Sequence, residues 1–184
     1  MAAVQLLIDK FELLAHPEGG WYKETYRSET AVTTVGEPPA VSSRSSSTAI
    51  YFLICPGNVS RLHRILSDEI WHFYLGSPLK VVEIGAEFPE QYKETILGTD
   101  IANGQLVQYM VKRGTWFGCY PDEELSKVPG PGPAVPTTEI YSFVGCTVAP
   151  GFEFSDFELA SRAQLLSEFP KAEEVIVKLT EGLP

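Results

Sequence analysis

From residue 48 to residue 148 the chain is a run of short strand patterns, each closed by a turn and none separated from the next by a helix. The segments 48–54, 58–65, 69–75, 79–85, 92–98, 105–112, 115–120 and 139–148 are rich in β-branched and aromatic residues or alternate between apolar and polar ones. Eight short strands in succession with no helix between them favour a closed barrel or a double-sheet jelly roll. Asn103-Gly104 between two of these segments reads as a type I′ hairpin turn.

The flanks differ. Val4, Leu7, Ile8, Phe11 and Leu14 recur at helical spacing, so an amphipathic helix over 4–14 is expected, ending at His16-Pro17. Gly19-Gly20 then turns the chain into an alternating strand over 21–28, with Trp21, Lys23, Thr25 and Arg27 on one face and Tyr22, Glu24 and Tyr26 on the other. Because it stands outside the main run, this strand exposes backbone groups that another sheet edge must take, which predicts a homodimer formed through residues 21–28. Residues 30–47, rich in Ser, Thr, Pro and Gly, read as a long loop, and the prolines of 128–136 exclude that segment from a sheet interior. Helical spacing returns beyond Phe157, with Asp156 placed to cap it. One domain spans 1–184, mainly β, with its barrel core at about 20–157.

Lys and Arg total 14 against 24 Asp and Glu, a net charge of −10. Such a chain has little affinity for phosphate backbones or anionic bilayers, so nucleic acid and membrane are not expected partners. The N-terminal residues carry neither a basic start nor a cleavage site, and a cytoplasmic location is expected. The three cysteines, Cys55, Cys119 and Cys146, form no C-x-x-C pair and read as small buried apolar groups, with thiol catalysis as the alternative.

Between Gly57 and Gly76 the spacing of Gly57, His63, Glu69 and Gly76 resembles the first signature of the cupin superfamily, G-x5-H-x-H-x3,4-E-x6-G, with Ile65 where its second histidine would stand. The stretches HPEGGWYKETYRS, SDEIWHFYLG, GTWFG and VGCTVAPGFEFSDFEL resemble an uncharacterised branch of that superfamily, cupin 5, over roughly residues 10 to 170. The resemblance implies a dimeric jelly-roll barrel with an open pocket, related in fold to deoxysugar epimerases. In metal-binding cupins, two histidines and a glutamate from this segment meet a third histidine from a later strand. Anchoring the second signature on Gly114 puts Lys112 at its proline, Phe117 at the third histidine and Pro121 at its asparagine. Half of the ligand set is thus replaced, and no metal or other cofactor is expected.

Alternation places Arg61, His63 and Ile65 on one strand face and Glu69, Trp71 and Phe73 on another, with His72 opposite Glu69. In the cupin register both faces line the barrel, giving a mostly apolar pocket with a few convergent polar groups. His63 and Glu69 are the candidate catalytic pair, with His63, by the resemblance to the epimerases, as the base that removes a proton next to a carbonyl. The carboxylate is expected to raise the imidazole pKa and fit it for proton transfer. Arg61 is the candidate anion receptor; Trp71, Phe73, Tyr109, Trp116, Phe117 and Tyr141 are candidate ligand contacts, and Tyr109, Tyr120 or Tyr141 a candidate acid. Core filling is the competing reading for the aromatic residues, as plain turn chemistry is for His16 and Glu18. The expected ligand is a small polar or anionic, carbohydrate-like or phosphorylated metabolite. A sugar or nucleotide-sugar isomerase or epimerase is the leading reading, and a non-catalytic binding or sensing module with a vestigial metal site the alternative.

Overall fold

Two antiparallel sheets stack face to face in a computed structural model that describes residues 3–35, 41–124 and 140–182. The first contains β1 (Leu14–Ala15), β2 (Trp21–Arg27), β5 (Thr48–Ile54), β12 (Ser142–Ala149), β7 (Asp68–Gly76) and β10 (Gln108–Val111), in that spatial order. The second runs β13 (Glu158–Leu159), β6 (Ser60–Arg64), β11 (Trp116–Pro121), β8 (Leu79–Ile84), β9 (Tyr92–Leu97). Neighbours such as β5 and β12 are far apart in sequence, as a jelly roll requires. Phe52, Ile54, Trp71, Val81, Leu97, Phe117 and Val144 fill the space between the sheets.

Each sheet has helical cover on its outer face. The helix α1 (Ala3–Phe11) packs Leu7 and Phe11 against Leu53, Tyr141 and Phe143. It stops at Glu12, whose φ of 52° is left-handed, several residues before the His16-Pro17 stop that proline alone suggests. At the other end, α2 (Arg162–Glu168) and α3 (Glu173–Leu179) bury Leu165, Ile176 and Leu179 over Leu62, Val82 and Trp116. The cap of α2 is Ser161, whose hydroxyl accepts from the Gln164 N–H, and not Asp156, which forms a buried ion pair with Arg44. Ser161→Ala should therefore lower stability by about 0.5–1 kcal/mol in urea denaturation, whereas replacing the cap by Gly should cost only a few tenths.

Two local expectations change. Residues 30–47 are not a plain loop: β3 (Ala31–Val35) and β4 (Val41–Ser45) pair as a separate antiparallel hairpin, because Val and Thr supply strand-compatible side chains beneath a Ser-rich composition. Asn103-Gly104 is not a hairpin turn. A 3-10 turn over Ile101–Asn103 ends there, with Gly104 in the left-handed conformation, and carries the chain from β9 in one sheet to β10 in the other. The proline-rich segment 128–136 lies outside the described residues.

The early strand β2 is held by its own chain. β5 pairs with it from Trp21 to Arg27, and β1 takes Trp21 and Tyr22 on the other edge. One edge of β2 is thus taken by β5 along its length, while on the other edge β1 reaches only Trp21 and Tyr22, and among the described residues no strand pairs with that edge at Lys23–Arg27. No helix among the described residues is long and apolar enough to cross a membrane.

Candidate functional site

A cavity of about 320 Å³ opens between the sheets, close to the start of β2 and the 152–157 segment. Its polar floor comes from His16, Glu18, His63 and Glu69, its walls from Tyr22, Thr48, Ile50, Phe52, Ile65, Val148 and the phenylalanines 152, 154 and 157, and its mouth from Glu24, Arg27 and Glu153. This is the expected ligand-site composition, apolar walls around a few polar groups.

Two β-bulges decide which side chains reach it. Along β6, His63 faces Phe117 and Ser60 faces Cys119, so three residue steps on β6 match two on β11. The extra residue rotates the strand by one place. Ser60 and His63 therefore both point inward, while Arg61 leaves the site: its guanidinium donates to the carbonyls of Pro17 and Glu181 at 3.2 and 3.0 Å. Along β2, Glu24 faces Ile50 and Tyr26 faces Ala49, a second extra residue that moves Arg27 onto the face of Tyr22 and Glu24. Strict alternation puts Arg27 on the opposite face, which is why sequence reasoning missed it.

The turn before β2 delivers Glu18. The Arg61 N–H donates to the Glu18 carbonyl at 2.9 Å, fixing the turn on β6, and the Gly19 N–H donates to His16 at 3.0 Å. The Glu18 carboxyl is then buried, with Oε1 accepting from Ser60 Oγ at 2.8 Å and Oε2 lying 3.2 Å from His63 Nε2 and 3.5 Å from His16 Nδ1. What reads in sequence as turn chemistry is thus the centre of the floor.

Hydrogen bonding fixes the proton positions. His63 Nδ1 is 2.7 Å from the Arg61 carbonyl oxygen, which only accepts, so Nδ1 carries the hydrogen. Burial pushes the His63 pKa down, against the pull of Glu69, and pushes the Glu18 pKa up. Burial thus disfavours the charged form of both the ring and the Glu18 carboxyl, which face each other across 3.2 Å at Nε2. This reverses the expected rise of the imidazole pKa: desolvation of a fully enclosed ring outweighs a nearby carboxyl. Burial lowers His16 as well, and His16 Nδ1 accepts from the Glu18 N–H at 3.3 Å, leaving Nε2–H as its donor.

Glu69 has the environment that matters most chemically. Burial raises its pKa to about 7; His63 and a hydrogen bond from the Cys146 thiol oppose the rise, and Glu18 adds to it. A carboxyl that exchanges its proton near neutrality can act as acid or base at the same pH. The thiols do not compete for that role, since burial pushes both Cys119 and Cys146 well above the ordinary range.

The remaining sequence candidates lie elsewhere. Trp71 and Phe73 point inward with Glu69, but Trp71 is core, edge-on to Phe52 and Phe117 at 6.1 and 6.2 Å, and Phe73 packs against the same cluster. Phe117 backs the His63 ring at 4.2 Å without lining the cavity. Trp116 sits on the outer face under Arg64, 4.4 Å away. Tyr141 packs with α1, Tyr109 bonds Glu83 and Lys93, and Tyr120 bonds Glu94. Among the described residues the one tyrosine lining the cavity is Tyr22, which lies in the HPEGGWYKETYRS stretch but is not among the candidate ligand contacts.

A family model described as Cupin superfamily (DUF985), Cupin_5, matches residues 5–160. The chain belongs to the Cupin_5 family. This cupin is similar to the solved structure of a hypothetical protein from Leishmania major, with 32% identity, TM-score 0.79, and 97% of this chain and 98% of that one covered. It is similar also to a solved protein of Shewanella oneidensis, at 36% identity, TM-score 0.77 and 97% of each chain. An uncharacterized protein of Saccharomyces cerevisiae is 27% identical over 165 residues, 84% of this chain and 74% of that one.

The cupin frame also tests the metal that the superfamily implies. Two of its four positions hold Ile65 and Phe117, which have no lone pair to donate, and Glu18 already bonds the free His63 nitrogen. Among the described residues no group of three or more His, Cys, Asp or Glu is placed to hold an ion. The donor set does not fit a resident metal.

Proposed function

We propose that the cavity binds a small polar, carbohydrate-like molecule and moves a proton on it, as in sugar isomerisation, with His63 and Glu69 as the working pair. The observation that carries this reading is the Glu69 carboxyl, raised to about 7 by burial, at the floor of a cavity of about 320 Å³. In its ionised form Glu69 takes a proton from the carbon next to a carbonyl. The C–H electron pair forms the C=C bond of an enediolate while the carbonyl π pair moves onto its oxygen, which takes up a proton; the neighbouring hydroxyl gives up its proton as it becomes the new carbonyl, and the carboxyl returns the first proton to the former carbonyl carbon. His16, with its hydrogen on Nε2, is the donor available to the developing oxyanion. His63 holds Glu18 in place, with its Nε2 3.2 Å from the Glu18 Oε2. Aromatic walls suit the apolar faces of a sugar ring.

Deuterium incorporation from D2O into a panel of free aldoses and ketoses, followed by NMR, tests the reading. Exchange is expected with the parent protein and should fall roughly 100-fold or more in Glu69→Gln, the usual worth of a placed acid-base group. Binding without exchange would identify a non-catalytic binding module instead. Exchange that survives in Glu69→Gln would overturn the assignment of the pair.

A further inference from the structure

We propose that the cavity is built to take uncharged polyhydroxy ligands and to exclude their phosphate esters, because its mouth holds one guanidinium between two carboxylates. This rests on the cavity being the ligand site, as proposed above, and decides between the neutral and phosphorylated ligands that a sugar-like pocket can accept.

Among the described residues, Arg27 is the only Lys or Arg lining the cavity. Its Nε and one terminal nitrogen donate to both oxygens of Glu24 at 3.0 and 2.8 Å, the other terminal nitrogen donates to Glu153 at 2.8 Å, and a further bond reaches the Phe152 carbonyl at 3.1 Å. The planar fork that could grip a phosphate bidentately is already occupied by carboxylate oxygens. The mouth therefore carries a net negative charge. Behind it the floor offers two more carboxyl groups, Glu18 and Glu69, and two buried imidazoles. A phosphoryl dianion entering here would meet repulsion at the mouth and, among the described residues, no free cation inside. A sugar hydroxyl, by contrast, finds acceptors and donors without bringing charge into a site that burial keeps largely neutral. Arg61, the anion receptor suggested by alternation, is directed to the opposite side by the β6 bulge and cannot supply the missing charge.

The experiment is a titration of the isotopically labelled full-length protein with inorganic phosphate, read by NMR at the Arg27 side chain and the cavity-lining amides. The parent is expected to show no saturable shift there up to about 50 mM phosphate, a concentration at which even a weak millimolar site would fill. In Glu24→Gln/Glu153→Gln the guanidinium is released, and a saturable site at Arg27 should appear, tighter than the parent by at least about tenfold. Both glutamates are partly exposed, so the fold should survive, and Glu153→Gln alone serves as a milder second variant. Saturable phosphate binding in the parent cavity would overturn the proposal. So would a double variant that gains nothing, because the carboxylates would then not be what excludes the anion. Neither outcome depends on any sugar being bound, so failure of the isomerase reading is seen separately in the exchange experiment.

Discussion

At pH 8, Glu69→Gln should be more stable than the parent protein by up to about 3 kcal/mol, and at pH 5 the two should be alike to within about 1 kcal/mol. The folded carboxyl keeps its proton up to about pH 7, whereas in the unfolded chain it releases it near its ordinary value of 4.5. Between those pH values the folded state binds more protons than the unfolded one, so parental stability falls as pH rises through this window. Above about pH 7 the loss is complete. Glutamine has the shape of the protonated carboxyl and carries no such charge. Glu18, also raised by burial, pulls parental stability in the same direction, whereas His16 and His63, both lowered, cost stability only as pH falls below about 6.5. These three groups are present in both proteins, so to first order they cancel in the comparison. Thermal melts at a series of pH values check the result, with a gap at pH 8 of roughly 6–12 °C for a chain of this size. A gap independent of pH would mean that Glu69 does not titrate near neutrality and would remove the basis for its proton-transfer role.

Gly19→Ala should cost about 3 kcal/mol or more and should also disable the cavity floor. Gly19 has a φ of +114°, a backbone region that side chains rarely tolerate, and a Cβ there would collide with the Val59 carbonyl oxygen. The turn can relieve the clash only by lifting away from β6, which breaks the Arg61 to Glu18 backbone bond and withdraws the Glu18 carboxyl from Ser60 and His63. Gly57→Ala is the matching control. It has a φ of +77° with nothing within 4 Å of an added Cβ, so it should lose only the left-handed penalty of about 1 kcal/mol. Urea denaturation of the two variants separates the effects, and equal losses would show that the Val59 contact does not constrain the turn. In Gly19→Ala the His63 ring should also lose its partner at Nε2, visible as a changed imidazole resonance.

Much of the fold is legible from the chain because it follows from local chemistry. Helix-free spacing between strand patterns favours a closed barrel or a double-sheet jelly roll, alternation in the 69–75 segment puts Glu69 and Trp71 inside and His72 outside, and the cupin-like spacing brings His63 and Glu69 to one cavity. The replacement of two metal-ligand positions by Ile65 and Phe117 is equally a fact of sequence. Strand parity fails wherever a bulge intervenes, because one extra residue reverses every side chain beyond it. The bulges of β6 and β2 remove Arg61 from the site and bring in Ser60 and Arg27, and nothing in the local residue pattern announces either one. Proton placement is likewise a property of the assembled barrel. Only burial on all sides lowers the His63 pKa, raises that of Glu18 and carries Glu69 to about 7, since desolvation depends on neighbours distant in sequence. Sequence alone thus determined the succession of strands along the chain and half of the floor, His63 and Glu69. Tertiary structure decided the other half, His16 and Glu18, together with the charge of the mouth, because these depend on where turns and bulges set side chains in three dimensions.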